Sequence, residues 1–188
     1  MAIKPIVTFP VATLKSKARP VTEFDDDLRR LVADMIDTMH EAPGVGLAAP
    51  QIGVPLRVAV IAGQVTIPDE EHPASDGEEK TAEDEPPPPL VLINPEIVAA
   101  EGQQVGEEGC LSVCEYSANV QRYNKIRVKA QDLDGNPLDF EAEDFFARVI
   151  QHELDHLDGT LFIDRISPLK RTLYRKKLKK IQADENER

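Results

Sequence analysis

A helical segment in the last third of the chain carries two histidines four residues apart. Apolar residues recur at helical spacing between about Asp144 and Asp158, and they cover most of the predicted circumference. These apolar residues are Phe145, Phe146, Val149, Ile150, Leu154 and Leu157. The polar residues, which form one stripe, are Arg148, Gln151, Asp155 and Asp158. The spacing therefore predicts a helix that is buried on all but this stripe, and such a helix requires other layers packed around it.

The sequence His152-Glu153-Leu154-Asp155-His156 lies on this helix, with both histidines on its apolar side. Side chains four residues apart project from one face, so the two imidazoles can bind a single metal ion. Glu153 lies beside them as a candidate general base. Buried histidines need polar partners, and a shared metal ion supplies one to each. The pattern predicts a metal site suited to hydrolysis.

A catalytic metal site of this kind needs a third protein ligand and an open position for water. In the extended form of the motif a histidine follows at the position that Phe162 occupies here, and the downstream glutamates, Glu185 and Glu187, lie in a charged tail. Upstream, Cys110 lies in a glycine-containing segment, and a thiolate is a strong ligand for divalent first-row metals. A lone cysteine is more often a small buried hydrophobe. The incomplete histidine pair nevertheless favours Cys110 as the third ligand.

The rest of the pattern predicts an α+β fold, in which antiparallel sheets pack around the buried metal-binding helix and a further helix lies at the C-terminal end. A first amphipathic helix is predicted from about Asp25 to Glu41, where Pro43-Gly44 ends it. Asp134-Gly135 is a strong hairpin signal. The strand-like segments are 56–62, 90–93, 96–100 and 125–131, with Asn94-Pro95 between the second and third.

The length of 188 residues predicts a single domain over residues 1–188, interrupted by an acidic insertion at about 64–89. The insertion holds nine acidic residues and one lysine, and it ends in four consecutive prolines. Such a segment buries too little apolar surface to offset the entropy of ordering it. We expect a solvated loop.

Charge and composition exclude several classes of protein. The net charge of −12 argues against general nucleic-acid binding, DNA included, because phosphates would be repelled. Since no apolar run of 18 residues occurs, we expect no membrane partner. With only Cys110 and Cys114 present, a disulfide framework is not expected, and a reducing cytoplasm is the predicted location.

Three segments, Gly44–Gln51, Glu108–Ser112 and Gln151–His156, resemble the three motifs of the peptide deformylases, and they occur in the family's order. The likeness extends over nearly the whole chain, including the segments 6–10 and 132–135. It implies a metal-dependent hydrolase that removes the formyl group from the N-terminal formyl-methionine of nascent polypeptides.

The resemblance also implies roles for individual residues. The metal ligands would be Cys110, His152 and His156. Glu153 would transfer protons. The side-chain amide of Gln51 and the backbone N–H of Leu111 would stabilise the oxyanion, while Val45 and Gly46 would contact the substrate. An ion pair between Glu108 and Arg122 would support the metal loop. The implied ion is Fe²⁺, with zinc or nickel as less natural occupants.

Two alternatives stay open on the residues alone. A metalloprotease-like hydrolase shares the histidine motif but requires a third ligand downstream. A non-catalytic, metal-stabilised module that binds the ribosome would have a closed site, and Cys114, which stands where the family usually has proline, would be its fourth ligand.

A basic helix is predicted at about 168–182, with seven bases and no acid between Leu169 and Ile181. The resemblance suggests contact with the ribosome, whereas its apolar edge also suits a solvated helix packed on the domain. If the helix contacts only RNA, truncation after Ser167 should leave peptide turnover largely intact.

Overall fold

Seven strands and three helices make up residues 2–63 and 87–186, the part of the chain that the computed structural model describes. The helices are α1 (Asp26–Glu41), α2 (Asp144–Leu157) and α3 (Pro168–Asn186). The strands are β1 (Gly46–Ala48), β2 (Val58–Ile61), β3 (Leu90–Glu101), β4 (Gln104–Cys110), β5 (Val113–Arg122), β6 (Lys125–Gln131) and β7 (Pro137–Glu143). Asp25 caps α1, because its side chain accepts a hydrogen bond from the backbone N–H of Leu28.

The strands form two antiparallel sheets. Five strands pair in the order β1-β2-β3-β6-β7, and β4 and β5 form a separate hairpin. Strand β2 is buried on both faces, since Val58 and Val60 belong to the core that includes α1 whereas Ile61 belongs to the core that includes α2. The large sheet therefore separates α1 from α2. The predicted α+β class is confirmed, and the Asp134-Gly135 hairpin joins β6 to β7 as expected.

Helix α2 differs from its predicted orientation in one respect. Three residues of its polar stripe, Arg148, Gln151 and Asp155, are only 4–7% exposed, and Asp158 alone faces solvent. The expectation that the whole stripe is open to water is wrong. Arg122 of β5 bonds Asp155, Glu108 of β4 accepts from Arg148, and the backbone of Tyr123 bonds Gln151, so each of the three buried side chains has partners. Arg148 Nη2 alone among their polar atoms is buried without a hydrogen-bond partner in the described residues.

Strand β3 is continuous where two strands were predicted. Its pairing with β6 shifts register between Ile93 and Glu96, and Asn94 adopts a left-handed conformation with φ of 51°. The bulge accommodates Pro95 within the strand. The Asn94 side chain accepts a hydrogen bond from the backbone N–H of Val21 and donates one to its carbonyl oxygen. The break in the sequence pattern therefore marks a bulge and not a strand end.

Helix α3 packs on the domain through two residues, Tyr174 and Leu178, which are 1% and 7% exposed. They join a core with Leu14, Val113 and Phe162. Within residues 2–63 and 87–186, no helix has the length and apolar character needed to cross a bilayer. Nearly all of the predicted insertion at 64–89 lies outside the described residues, and the assignment of a single domain to residues 1–188 stays a prediction.

Candidate metal centre and active site

The hairpin β4–β5 and helix α2 bring three metal-binding side chains together. Cys110 at the end of β4 and His152 and His156 on α2 place their donor atoms within 4.8 Å of one another. Cys110 Sγ lies 3.2 Å from His156 Nε2. One thiol and two imidazoles are a donor set suited to zinc, iron or nickel. The three residues predicted as ligands therefore fit one divalent ion.

The two imidazoles differ in their hydrogen bonds and in the direction in which their pKa values are shifted. His152 Nδ1 lies 3.0 Å from Glu108 Oε2, which leaves its Nε2 for a metal, as in many histidine sites. Burial opposes the charged form of His152, but contacts with Cys110 and Glu108 raise its pKa well above the ordinary value. Burial and the nearby charge of His152 lower the pKa of His156 well below it. A metal ion competes with protons for these nitrogens, because an imidazole binds metal in its neutral form.

Glu108 lies next to the donor cluster and is held by two arginines. Arg122 donates to both of its carboxylate oxygens at 2.8 Å, and Arg148 Nη1 donates to Oε1 at 2.8 Å. The Glu108 and Arg122 side chains are 4% and 2% exposed. Burial alone would raise the pKa of Glu108, but the hydrogen bonds from Arg122 and His152 hold it far below its usual range. The ion pair is thus a buried part of the site and not a surface pair.

Glu153 lies buried next to the donor cluster, with 3% of its surface exposed. Its Oε2 has no hydrogen-bond partner among the residues that the structure describes. Burial raises the pKa of this carboxyl to about 7, against the lowering effect of the His152 charge. Such a group can exchange protons near neutral pH.

Gly46 makes room for Glu153, a contact that sequence reasoning missed. A Cβ built on Gly46 would lie 2.5 Å from Glu153 Oε1 and 2.9 Å from its Cγ and Cδ. Only glycine fits at this position of β1 while Glu153 keeps its place. The predicted role of Gly46 was contact with substrate, and the structure adds contact with the candidate base.

Gln51 is oriented by the short 3-10 helix Ala49–Ile52 that follows β1. Its Oε1 accepts a hydrogen bond of 2.8 Å from the Ala48 backbone N–H. The amide nitrogen therefore points the other way, toward Ser112 Oγ at 3.3 Å and Cys110 Sγ at 3.7 Å. One end of the side chain bonds backbone in a turn, and the other end places a donor at the centre.

A cavity of about 520 Å³ opens beside the three donors. Its wall includes Cys110, His152, Glu153, Gln51 and Leu111, and also Val45 and Gly46. Further apolar lining, not identified from the sequence, comes from Tyr116, Phe145 and Val149. A signal for two of these existed, because Phe145 and Val149 precede His152 by seven and three residues on α2 and so share its face.

Neither Cys114 nor Phe162, the positions on which the metalloprotease and closed-site alternatives depend, supplies a further metal ligand. Cys114 is exposed and is not a member of the donor cluster found among the described residues. Phe162, where the extended motif has histidine, is buried, and its ring packs 6.3 Å from that of His152. The described residues thus provide three protein donors, and neither alternative gains a ligand.

An α+β domain that holds two histidines and a buried glutamate of one helix beside a cysteine thiol is a metal-dependent hydrolase. Comparisons with known proteins narrow this class. The sequence profile of the polypeptide deformylase family matches residues 3–172. The chain belongs to this family.

Individual relatives cover nearly the whole chain. A peptide deformylase of Novosphingobium aromaticivorans is 48% identical over 97% of this chain and 98% of its own, and one of Acidobacterium capsulatum is 45% identical over 97% of each. The crystal structure of a peptide deformylase from Legionella pneumophila is 42% identical, with a TM-score of 0.80 over 100% of this chain and 99% of its own. A peptide deformylase from Acinetobacter baumannii, crystallised with Met-Ala-Ser, is 35% identical, with a TM-score of 0.74 over 88% of this chain and 99% of its own.

Proposed function

We propose that this chain removes the formyl group from N-formyl-methionyl nascent peptides at the centre formed by Cys110, His152 and His156, with Glu153 transferring protons. One observation carries the proposal. Glu153 Oε2, which has no hydrogen-bond partner among the described residues, lies buried beside three metal-binding atoms, and the residue lines an apolar cavity. Family membership agrees with this chemistry, since peptide deformylases hydrolyse the formyl amide and release formate.

Glu153 performs the proton transfers in this scheme. A divalent ion held by the three donors would supply an acidified water and polarise the formyl carbonyl. Glu153 accepts the proton of the attacking water and then delivers a proton to the departing amine. Burial raises the pKa of this carboxyl to about 7 before an ion binds. A divalent cation beside it would lower that pKa and so favour the carboxylate form, which accepts the proton of the water.

Two donors are proposed to stabilise the oxygen that becomes negative when water adds to the formyl carbon. The oriented Nε2 of Gln51 and the backbone N–H of Leu111 are proposed to bind this oxyanion. Because the amide is fixed by its bond to Ala48, it is pre-organised for the transition state. Removing one donor of this kind typically lowers the rate by about 10²–10³.

The cavity is proposed to take the methionine side chain of the substrate. Its lining is mostly apolar near Phe145, Val149 and Tyr116, which suits an unbranched thioether. Val45 and Gly46 on the facing wall would contact the peptide backbone. The deformylase of Acinetobacter baumannii crystallised with Met-Ala-Ser supports such a peptide as ligand.

We infer Fe²⁺ as the native ion from the family resemblance, with zinc or nickel able to occupy the same donors. The test is metal content after anaerobic purification, followed by turnover of the protein reloaded with each ion separately. Iron loss accompanied by loss of activity supports the assignment. Full activity with zinc alone contradicts it.

Formate release from formyl-Met-Ala-Ser by anaerobically purified protein tests the function directly. Glu153→Ala should keep its metal and lose about 10²–10⁴ in rate, because the residue moves protons and is not a ligand. Two control substrates are acetyl-Met-Ala-Ser and a peptide that can be cleaved only at an internal peptide bond. Cleavage of the internal bond with no formate release would favour the metalloprotease reading.

We also propose that the basic face of α3 associates with ribosomal RNA in the cytoplasm. The free thiol of Cys114 is exposed, which suits a reducing compartment. Since Tyr174 and Leu178 belong to the core, we expect truncation after Ser167 to destabilise the fold, so a loss of turnover in that variant would not report on ribosome binding. A sharper test neutralises the exposed bases Arg175, Lys176, Lys179 and Lys180 as glutamines. Salt-sensitive ribosome binding should then weaken while peptide turnover is retained.

A further inference from the structure

We propose that Arg165 is a positioning residue for the metal centre, and that it acts on His152 through Asp155, Arg122 and Glu108. The proposal rests on the ligand role of His152 proposed above. It assigns a function to a side chain that touches neither the donor atoms nor the substrate cavity.

The outer half of this chain of contacts is a two-pronged ion pair. Arg165 Nε and Nη2 donate to Asp155 Oδ2 and Oδ1, each at 2.5 Å. The arginine side chain is 44% exposed, whereas that of Asp155 is 10% exposed. This pair forms part of the wall of a second cavity of about 660 Å³ on the polar side of α2. A fork-to-carboxylate geometry fixes orientation as well as charge.

The inner half connects Asp155 to the metal ligand. Arg122 Nη1 donates to Asp155 Oδ2 at 2.6 Å, and the remaining nitrogens of its fork donate to Glu108. Glu108 Oε2 in turn lies 3.0 Å from His152 Nδ1. Acidic and basic groups alternate along the whole path, so each charge is flanked by its opposite.

Arg165 fixes the free end of this path. Asp155 Oδ2 is shared between Arg122 and Arg165, and Oδ1 is held by Arg165. Without Arg165, Asp155 keeps a single bond to Arg122 beside the second cavity, and its carboxylate can turn. The Arg122 fork then loses its outer restraint. Arg148 still bonds Glu108, so the loss at His152 is partial.

The experiment measures how fast zinc leaves the loaded protein in the presence of excess chelator, far below the unfolding temperature. Direct outer partners of a ligand typically change metal affinity about 10–100-fold. Arg165 is further from His152 than such a direct partner, so Arg165→Ala should speed zinc loss only about threefold to tenfold. Arg165→Lys keeps the positive charge but not the two-pronged geometry, and it should restore part of the difference. The absorption spectrum of the cobalt-loaded protein should shift in the alanine variant and return toward wild type in the lysine variant.

Arg171→Ala is the matched control. Arg171 donates to the backbone oxygens of Ile163 and Asp164, beside Arg165, but does not bond Asp155. It should lower thermal stability without changing zinc loss or the cobalt spectrum. Equal zinc loss in both variants, or a wild-type rate in Arg165→Ala, overturns the proposal. If the wild-type protein takes up no metal at all, the assignment of Cys110, His152 and His156 as ligands fails. The positioning role of Arg165 and the proposed metal centre therefore fail by different results.

Discussion

Replacing Gly46 with alanine tests whether the position of Glu153 sets the rate. The new methyl group would lie 2.5 Å from Oε1, and real Cβ contacts are essentially never below 3.0 Å. The carboxylate must therefore move by about 0.5–1 Å, and a displacement of that size can cost about 10²-fold in rate. Crowding of this kind also costs about 1–3 kcal/mol of stability.

The assay is formate release at saturating and subsaturating formyl-Met-Ala-Ser, with metal content measured on the same samples. We expect kcat/KM to fall about 10–100-fold while metal content is unchanged, because the three heavy atoms nearest the added Cβ all belong to Glu153 and not to the metal ligands. The strand itself tolerates alanine, since Gly46 is not among the glycines with positive φ.

A double-mutant cycle decides the cause. In a Glu153→Ala background the three atoms nearest the added methyl are absent. Gly46→Ala should then change the rate by no more than about twofold and the stability by no more than about 0.5 kcal/mol. If Gly46→Ala lowers the remaining activity of Glu153→Ala as strongly as it lowers that of the wild type, the effect does not act through Glu153. The steric reasoning would then be refuted.

Three further outcomes are expected. Cys110→Ser should lower metal content or change which ion is retained, because a hydroxyl is a harder ligand than a thiolate, and unchanged content and activity would remove Cys110 from the ligand set. In the metal-free protein the native pKa of Glu153, about 7, exceeds its ordinary 4.5, so the contribution of Glu153 to the unfolding free energy should fall as pH rises between these values. The difference in unfolding free energy between the wild type and Glu153→Gln should therefore change over this range, and parallel pH profiles would contradict it. Replacing residues 64–86 by a short turn should retain activity and raise stability by about 1–2 kcal/mol, since Ile61 pairs directly with Leu90; loss of folding would show that the segment is structural.

The periodic elements could be predicted from the sequence, because a helix or strand buried on one face repeats its apolar residues. Helices α1 and α2 and the β6–β7 hairpin were predicted close to their observed bounds. The hairpin β4–β5 was not, although it carries Cys110. Its residues Gly106, Glu107, Glu108 and Gly109 have low strand propensity, and tertiary contacts with α2 override that preference.

The candidate site could be predicted only in part, because only some of its residues lie close together in the sequence. Short-range spacing identified His152, Glu153 and His156. The need for a third ligand then favoured Cys110, and the motif resemblance added Gln51. The network behind them depends on contacts over 33 and 40 residues of sequence, such as Arg122 with Asp155 and Arg148 with Glu108. No local pattern encodes such distances, so a buried polar stripe was mistaken for a solvent-facing one.

The contacts of α3 impose an order on biosynthesis. Lys177 Nζ donates to the backbone oxygen of Glu115 at 2.7 Å, and the ring of Tyr174 lies 4.7 Å from that of Tyr116, so this helix supports two residues that line the cavity beside the three donors. The ribosome makes α3 after β5 and after the metal-binding helix. A growing copy of the enzyme can thus assemble its ligands before the cavity wall has its support. We therefore expect full activity only once α3 has left the exit tunnel, after the active-site residues have already been translated.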